Sequence, residues 1–252
     1  MKEPLIEVKN ASAGYGDSVI LHNINITVND NDFIGIIGPN GGGKTTLLKL
    51  ILGQISPIEG SVINHIQPTK LRGAVGYLPQ VSTIDRKFPI TVIDVVLSGL
   101  MSSKGMRNRF SKLEKESAEA ILRKTGIYDY RNKTIGELSG GQLQRAFLCR
   151  ALISNPFLLI LDEPNTFVDN RFEKELYNLL REINERMAII MVSHDIGTIT
   201  SYVKTIACVN RQLHYHNSNT ITQEQLKVYD CPIQLITHGQ VPHTVLKTHT
   251  QQ

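Results

Sequence analysis

The chain has no run of about 18 apolar residues, the length a membrane-crossing helix needs, so none of its 252 residues is expected to span a bilayer. Its N-terminus, Met1-Lys2-Glu3-Pro4, has no apolar signal core, an expectation against secretion. Cysteine is scarce: Cys149, Cys208 and Cys231 are odd in number, scattered and without C-x-x-C spacing, which fits a reducing cytosol best. An excess of either charge is also lacking, with 27 Lys and Arg against 23 Asp and Glu. A net charge of +4 permits a membrane-surface or nucleic-acid partner but requires neither. There is no internal repeat and no low-complexity linker. What remains is 41% hydrophobic and 20% charged, the composition of a soluble globular protein, in a chain long enough for one large domain or two small ones.

Within that plain composition one stretch stands out. Gly38-Pro39-Asn40-Gly41-Gly42-Gly43-Lys44-Thr45 fits the G-x-x-x-x-G-K-[ST] phosphate loop. It follows an apolar strand, Phe33-Ile34-Gly35-Ile36-Ile37, and precedes a helix expected over Thr46–Leu52 with Gly53 as its stop. Glycines let the backbone turn so that several N–H groups converge on one anion, and the positive end of the helix dipole points at the same spot. Lys44 is placed to reach β- and γ-phosphates, and the Thr45 hydroxyl to bind Mg²⁺.

Around this loop the pattern is mixed α/β. Leu5–Val8 and Ile24–Val28 alternate like half-buried strands, and short strands are expected at Ser61–Ile63 and Ala74–Leu78. From 85 to 155 the pattern turns helical: one helix opens at Thr91 after Pro89, a second at the Ser111/Glu114 capping box and ends at Gly126, and a third covers Gly141–Ile153. Phe157–Leu161 and Met187–Val192 are continuous apolar runs suited to parallel strands covered on both faces. A charged helix is expected between them over 170–185. The fold class is thus α/β, with a phosphate-loop core of mainly parallel sheet and flanking helices, an N-terminal antiparallel β subdomain and an inserted α-helical subdomain. In one domain spanning 1–252, the core takes 1–84 and 156–216, the helical insertion 85–155, and a C-terminal tail 217–252.

Three further elements narrow the chemistry. The run Leu158–Leu161 ends in Asp162 and Glu163. At the carboxyl end of a strand beside a phosphate loop, Asp162 can hold Mg²⁺ and Glu163 can polarise water toward a γ-phosphate. Leu138-Ser139-Gly140-Gly141-Gln142 precedes a helix, and a serine followed by two glycines there makes a second anion cradle. One nucleotide does not need two cradles in one chain, so the second is read as serving a second copy. Val192-Ser193-His194-Asp195 ends the next apolar strand, where His194 can hydrogen-bond a γ-phosphate and sense its loss.

Loop, second cradle, carboxylate strand and histidine occur in the order of the ATP-binding subunits of ABC transporters, which the chain resembles from about residue 5 to 216. The resemblance implies further roles. Tyr15, in Ala13-Gly14-Tyr15-Gly16, corresponds to the aromatic that stacks on adenine. Gln80, in Tyr77-Leu78-Pro79-Gln80, corresponds to the glutamine that touches Mg²⁺ and the attacking water and hinges the helical block. Asp169 corresponds to the aspartate coupling two active sites, although its approach, Asn165-Thr166-Phe167-Val168, is bulkier than the family's usual Thr-Ser-Ala-Leu. Thr46 completes the phosphate loop.

A finer resemblance, to the branch that powers zinc or manganese import, rests on the triple glycine Gly41-Gly42-Gly43, on Phe88–Gly99 and on Val209–His216. It implies a cytoplasmic-face peripheral ATPase using ATP and Mg²⁺. Its partners would be a second copy of itself, transmembrane permease subunits and, indirectly, an extracytoplasmic substrate-binding protein, with no nucleic acid. Iron-chelate import and export stay open as alternatives. So does, at a greater distance, a non-transport ATPase acting on nucleic acid, but the chain has neither a long coiled coil nor a strong basic stripe. His214, His216, His238, His243 and His249, with Cys231, gather toward the C-terminus at loose spacing that matches no ligand motif.

Overall fold

The structure is a computed structural model. It describes residues 3–67, 73–80, 84–101, 109–164, 170–194, 196–216, 218–219, 233–237 and 242–246. Contacts divide the chain into two compact units, Met1–His65 with Ala188–Gln252, and Ile66–Met187.

In the first unit, β1 (Ile6–Tyr15), β2 (Ser18–Val28) and β4 (Glu59–Asn64) form an antiparallel sheet in the order β2-β1-β4. The alternation read from the sequence is real: Leu21, Ile24, Ile26 and Val28 of β2 are buried while the residues between the last three are exposed. β1 runs further than its apolar pattern suggested, because register shifts after Val8, Ala11 and Ala13 let it bend and keep pairing to Tyr15.

The same unit holds β3 (Phe33–Ile37), β7 (Ala188–Val192), β8 (Thr205–Asn210) and β9 (Gln212–His216). β3 lies parallel to both β7 and β8, and β9 turns back antiparallel on β8. Every residue of β3 and β7 is buried, the signature of strands covered on both faces. α1 (Lys44–Ile51) follows β3. It begins at Lys44, ahead of the expected Thr46, because Gly43 at φ 100 is already the N-cap. Its end is as expected: Gly53 N–H bonds Leu50 O and Gln54 N–H bonds Lys49 O, the paired bonds of a glycine C-cap. A short helix, Ile196–Ile199, follows β7. The stretch expected as a tail carries a hairpin that no sequence signal suggested, β10 (Ile233–Thr237) against β11 (Pro242–Leu246).

In the second unit β5 (Val75–Leu78) runs parallel to β6 (Leu158–Asp162). Helices α2 (Val92–Ser98), α3 (Lys112–Lys124), α4 (Gly140–Leu152) and α5 (Asn170–Asn184) complete it. Ser111 and Glu114 form the anticipated capping box of α3, and Gly126 ends it. α3 is mostly charged and buries only Ala118 and Leu122. These pack with Val92, Val95 and Val96 of α2 and Leu143, Ala146 and Cys149 of α4 in one apolar cluster. A side chain at Gly76 of β5 would meet Ala151 O at 2.2 Å, so α4 lies on β5 at backbone contact. α5 buries Leu176, Tyr177, Leu180 and Ile183, one stripe at helical spacing.

Candidate nucleotide-binding site

β3 stops at Ile37 and the chain turns through Gly38–Gly43 into α1. Two of the glycines, Gly38 and Gly42, are imposed by a wall. A Cβ on Gly38 would lie 2.0 Å from Val209 O and one on Gly42 2.8 Å from the same oxygen, while Gly42 O accepts the Arg211 N–H at 2.9 Å. The end of β8 therefore backs the loop, and Gly38 is held at φ 151, which side chains avoid. The resemblance carried by Val209–His216 gave no hint of this support, which arises only because β8 pairs beside β3; Arg211, at φ 61, makes the tight turn after it.

The start of α1 has no side-chain cap and no acidic residue in its first turn. Its first N–H groups and the positive end of its dipole are thus directed at an incoming anion. Lys44 is only 7% exposed, and its Nζ donates to Gly38 O at 3.0 Å and Pro39 O at 2.9 Å. Thr45 is exposed at the loop and Thr46 buried beneath it; Asn40 and Gly41 are exposed at the crest. A loop of glycines without side chains, leading into the uncapped start of α1, fits phosphate oxygens.

Two other anticipated residues belong to this unit. Tyr15, 44% exposed at the end of β1, has its ring 5.2 Å from Lys49 Nζ of α1, so an aromatic face stands beside the helix that carries the loop. β7 pairs with β3 so that Val192 lies opposite Ile36. Ser193, buried, and His194, exposed, therefore leave the sheet at the same edge as the phosphate loop.

In the second unit Leu78 lies opposite Leu161, so Gln80 and Glu163 emerge from neighbouring strand ends. Gln80 Nε2 donates to Glu163 Oε2 at 2.8 Å. Glu163 has φ 52, a left-handed conformation that is costly outside glycine and characteristic of functional turns. Asp162 is 4% exposed at the last position of β6. Burial, and secondarily the charge of Asp162, pushes the Tyr77 phenol up to about 12. Within this unit Asp162 and Gln80 carry oxygen atoms, the hard donors Mg²⁺ prefers, as Thr45 does by itself in the first unit.

The second cradle is a well-formed helix start. Ser139 is the N-cap of α4: its Oγ accepts the Gln142 N–H at 3.2 Å, and Gln142 Oε1 accepts the Ser139 N–H at 3.0 Å. No acidic residue occupies the first turn, and Gly140 and Gly141 are half-buried, with Leu138 buried beneath. Asp169 and its approach, 165–168, lie outside the described residues, as do Cys231, His238 and His249. His214 and His216 lie on β9 and His243 on β11. Among the described residues no group of three or more His, Cys, Asp or Glu is arranged to hold a metal ion, and no helix is long and apolar enough to cross a membrane.

Comparison with known proteins places this geometry in context. The family model described as "ABC transporter" matches residues 21–166. A Thermotoga maritima protein named "Probable metal transport system ATP-binding protein" is 41% identical over 226 residues, 88% of this chain and 89% of that one. The zinc uptake system ATP-binding protein ZurA of Listeria innocua is 40% identical over 220 residues, covering 85% and 86% of the two chains. The manganese transport system ATP-binding protein MntB of Bacillus subtilis is 37% identical over 226 residues, covering 88% and 90%. Among solved structures, a bacterial ABC transporter cassette in dimeric form matches at a TM-score of 0.73 and 26% identity, covering 86% of this chain and all of that one.

Proposed function

The chain belongs to the ABC transporter family of ATP-binding proteins, and from that premise we propose that it powers import of zinc or manganese ions. The observation that carries the substrate class is the set of metal-transport relatives, each matched over more than four-fifths of this chain. Ion choice belongs to permease and extracytoplasmic binding subunits; this chain supplies the ATPase, docked on the cytoplasmic face of the membrane.

The mechanism follows from the residues. The N–H groups at the start of α1 and the ammonium of Lys44 bind the β- and γ-phosphates, for which Lys44 exchanges its bonds to Gly38 O and Pro39 O. Tyr15 stacks on the base. Thr45, Asp162 and Gln80 would hold Mg²⁺, which when bound neutralises charge on the phosphates. Glu163 is the general base: it takes a proton from the attacking water, and its hydrogen bond from Gln80 must yield for that to happen. His194 hydrogen-bonds the γ-phosphate. Ser139, Gly140, Gly141 and Gln142 of one copy close on the nucleotide of the other, so two copies sandwich two ATP molecules. Asp169 couples the two sites, and the helical subdomain 85–155 carries the motion to the permease. Loss of phosphate removes the contacts that hold the copies together, and the pair opens.

The test is reconstitution. Co-expressed with its permease and placed in vesicles, the chain should support ATP-dependent uptake of zinc or manganese, abolished by Glu163→Gln. Uptake of neither ion, with ATPase activity intact, would refute the proposed cargo.

A further inference from the structure

The segment around Arg86 is stitched to the segment that leads into Ser139. Ile135 N–H bonds Ile90 O at 3.1 Å, Val92 N–H bonds Lys133 O at 3.0 Å, and Thr91 bridges Thr134. Gly136 lies so close that a Cβ there would meet Arg86 O at 2.8 Å. In the middle of this seam the Arg86 guanidinium donates from Nη2 to Leu138 O at 2.5 Å. That carbonyl belongs to the peptide unit whose N–H is Ser139's, and the Ser139 N–H is itself taken by Gln142 Oε1 at 3.0 Å. One peptide plane is thus gripped at both of its polar groups. It is the plane that sets the direction of Ser139 and of the Gly140 and Gly141 N–H groups behind it.

We propose that Arg86 is a positioning residue. It fixes the Leu138–Ser139 peptide plane and thereby holds the second cradle in the orientation that a partner copy's nucleotide requires, from a stretch of chain that begins close after Gln80. Arginine suits the task because its charge makes a strong bond to a carbonyl and its length reaches across the seam from an exposed position. Arg86 touches no reacting atom; it acts through Ser139. The inference rests on the reading that Ser139-Gly140-Gly141 serves the other copy's ATP.

The test uses Arg86→Ala in the full chain, with and without Glu163→Gln. Two signals separate positioning from general support. In nucleotide-free protein, the backbone amide resonances of Ser139, Gly140 and Gly141 should move, while those of Lys44–Leu47 stay in place. In the Glu163→Gln background, ATP affinity measured on dilute monomer should stay within about twofold, whereas the protein concentration for ATP-driven dimerisation should rise at least about tenfold, the scale of one charged hydrogen bond. Arg86→Lys, which keeps charge and a donor, should recover part of that loss. Unmoved amide resonances at 139–141, or dimerisation equal to the parent's, would overturn the proposal, as would a parallel loss of ATP affinity at the phosphate loop. If the Glu163→Gln parent itself stays monomeric with ATP, the sandwich reading falls, and the amide resonances alone then decide for or against Arg86.

Discussion

Lys44→Ala isolates the phosphate loop. In the nucleotide-free protein the ammonium is nearly buried and bonds two loop carbonyls at 3.0 and 2.9 Å. Binding ATP trades these for charged phosphate oxygens, so the lysine is already desolvated and little is spent on dehydrating it. A charge-assisted hydrogen bond contributes about 1.5–3 kcal/mol net, which as a loss of affinity is a factor of roughly 10 to 150 in Kd. Alanine also removes the ammonium from Gly38 O and Pro39 O, of which Pro39 O keeps the Gly42 N–H at 3.1 Å; water entering the vacated space holds that second cost to about 1 kcal/mol of fold stability. Titration calorimetry with Mg-ATP on dilute protein measures the first quantity and urea unfolding the second. A Kd within twofold of the parent's, in a variant of unchanged stability, would refute the assignment of Lys44 and with it the reading of the loop.

Other outcomes follow from single contacts. Gly38→Ala places a Cβ 2.0 Å from a backbone oxygen in a φ that side chains avoid; the loop must shift, and thermal unfolding should show a loss of roughly 1–3 kcal/mol, together with weakened ATP binding. Ser139→Arg fills the second cradle and should leave ATP binding at the phosphate loop intact while preventing ATP-driven dimerisation in gel filtration; normal dimerisation and turnover would reduce Ser139 to a helix cap. Burial lifts the Cys149 thiol from 9.0 to about 12, partly opposed by its hydrogen bond with Thr125. The folded state keeps a proton that the unfolded chain releases, so this contribution is complete below pH 9 and is lost as pH climbs from 9 toward 12, by about 1.4 kcal/mol per unit. Urea midpoints at about pH 9 and pH 10 should therefore fall more steeply for the parent than for Cys149→Ala.

The core of this fold was legible wherever one physical demand shaped a whole segment. Phe33–Ile37, Leu158–Leu161 and Ala188–Val192 must be apolar throughout because both faces are covered, and they read as such. The phosphate loop was legible because a tight anion cradle needs glycines at fixed offsets. Ser111/Glu114 and Gly126 announced the ends of α3 for equally local reasons. What stayed hidden is non-local. That Val209 O is the wall behind Gly38 depends on β8 lying beside β3, a pairing that no property of residues 205–210 alone encodes. Arg86 reads as one more surface charge until Leu138 is folded against it. The hairpin of β10 and β11 escaped notice because its sequence lacks the Asn-Gly or Asp-Gly turn and the clear alternation that mark such pairs. Glu163 was identified as the candidate base from its place after Asp162, but its positive φ and its bond from Gln80 emerge only in three dimensions.

The central claim is that ATP itself holds two copies together until Glu163 destroys it. Glu163→Gln removes the base and keeps the binding residues, so hydrolysis should slow by about 10²–10⁴-fold while ATP-bound pairs persist. Light scattering of this variant on a sizing column, with Mg-ATP in the buffer, measures the pair directly. The account predicts a mass of two chains with ATP and of one chain with ADP. A single-chain mass in both, at ATP concentrations that saturate the phosphate loop, would contradict it.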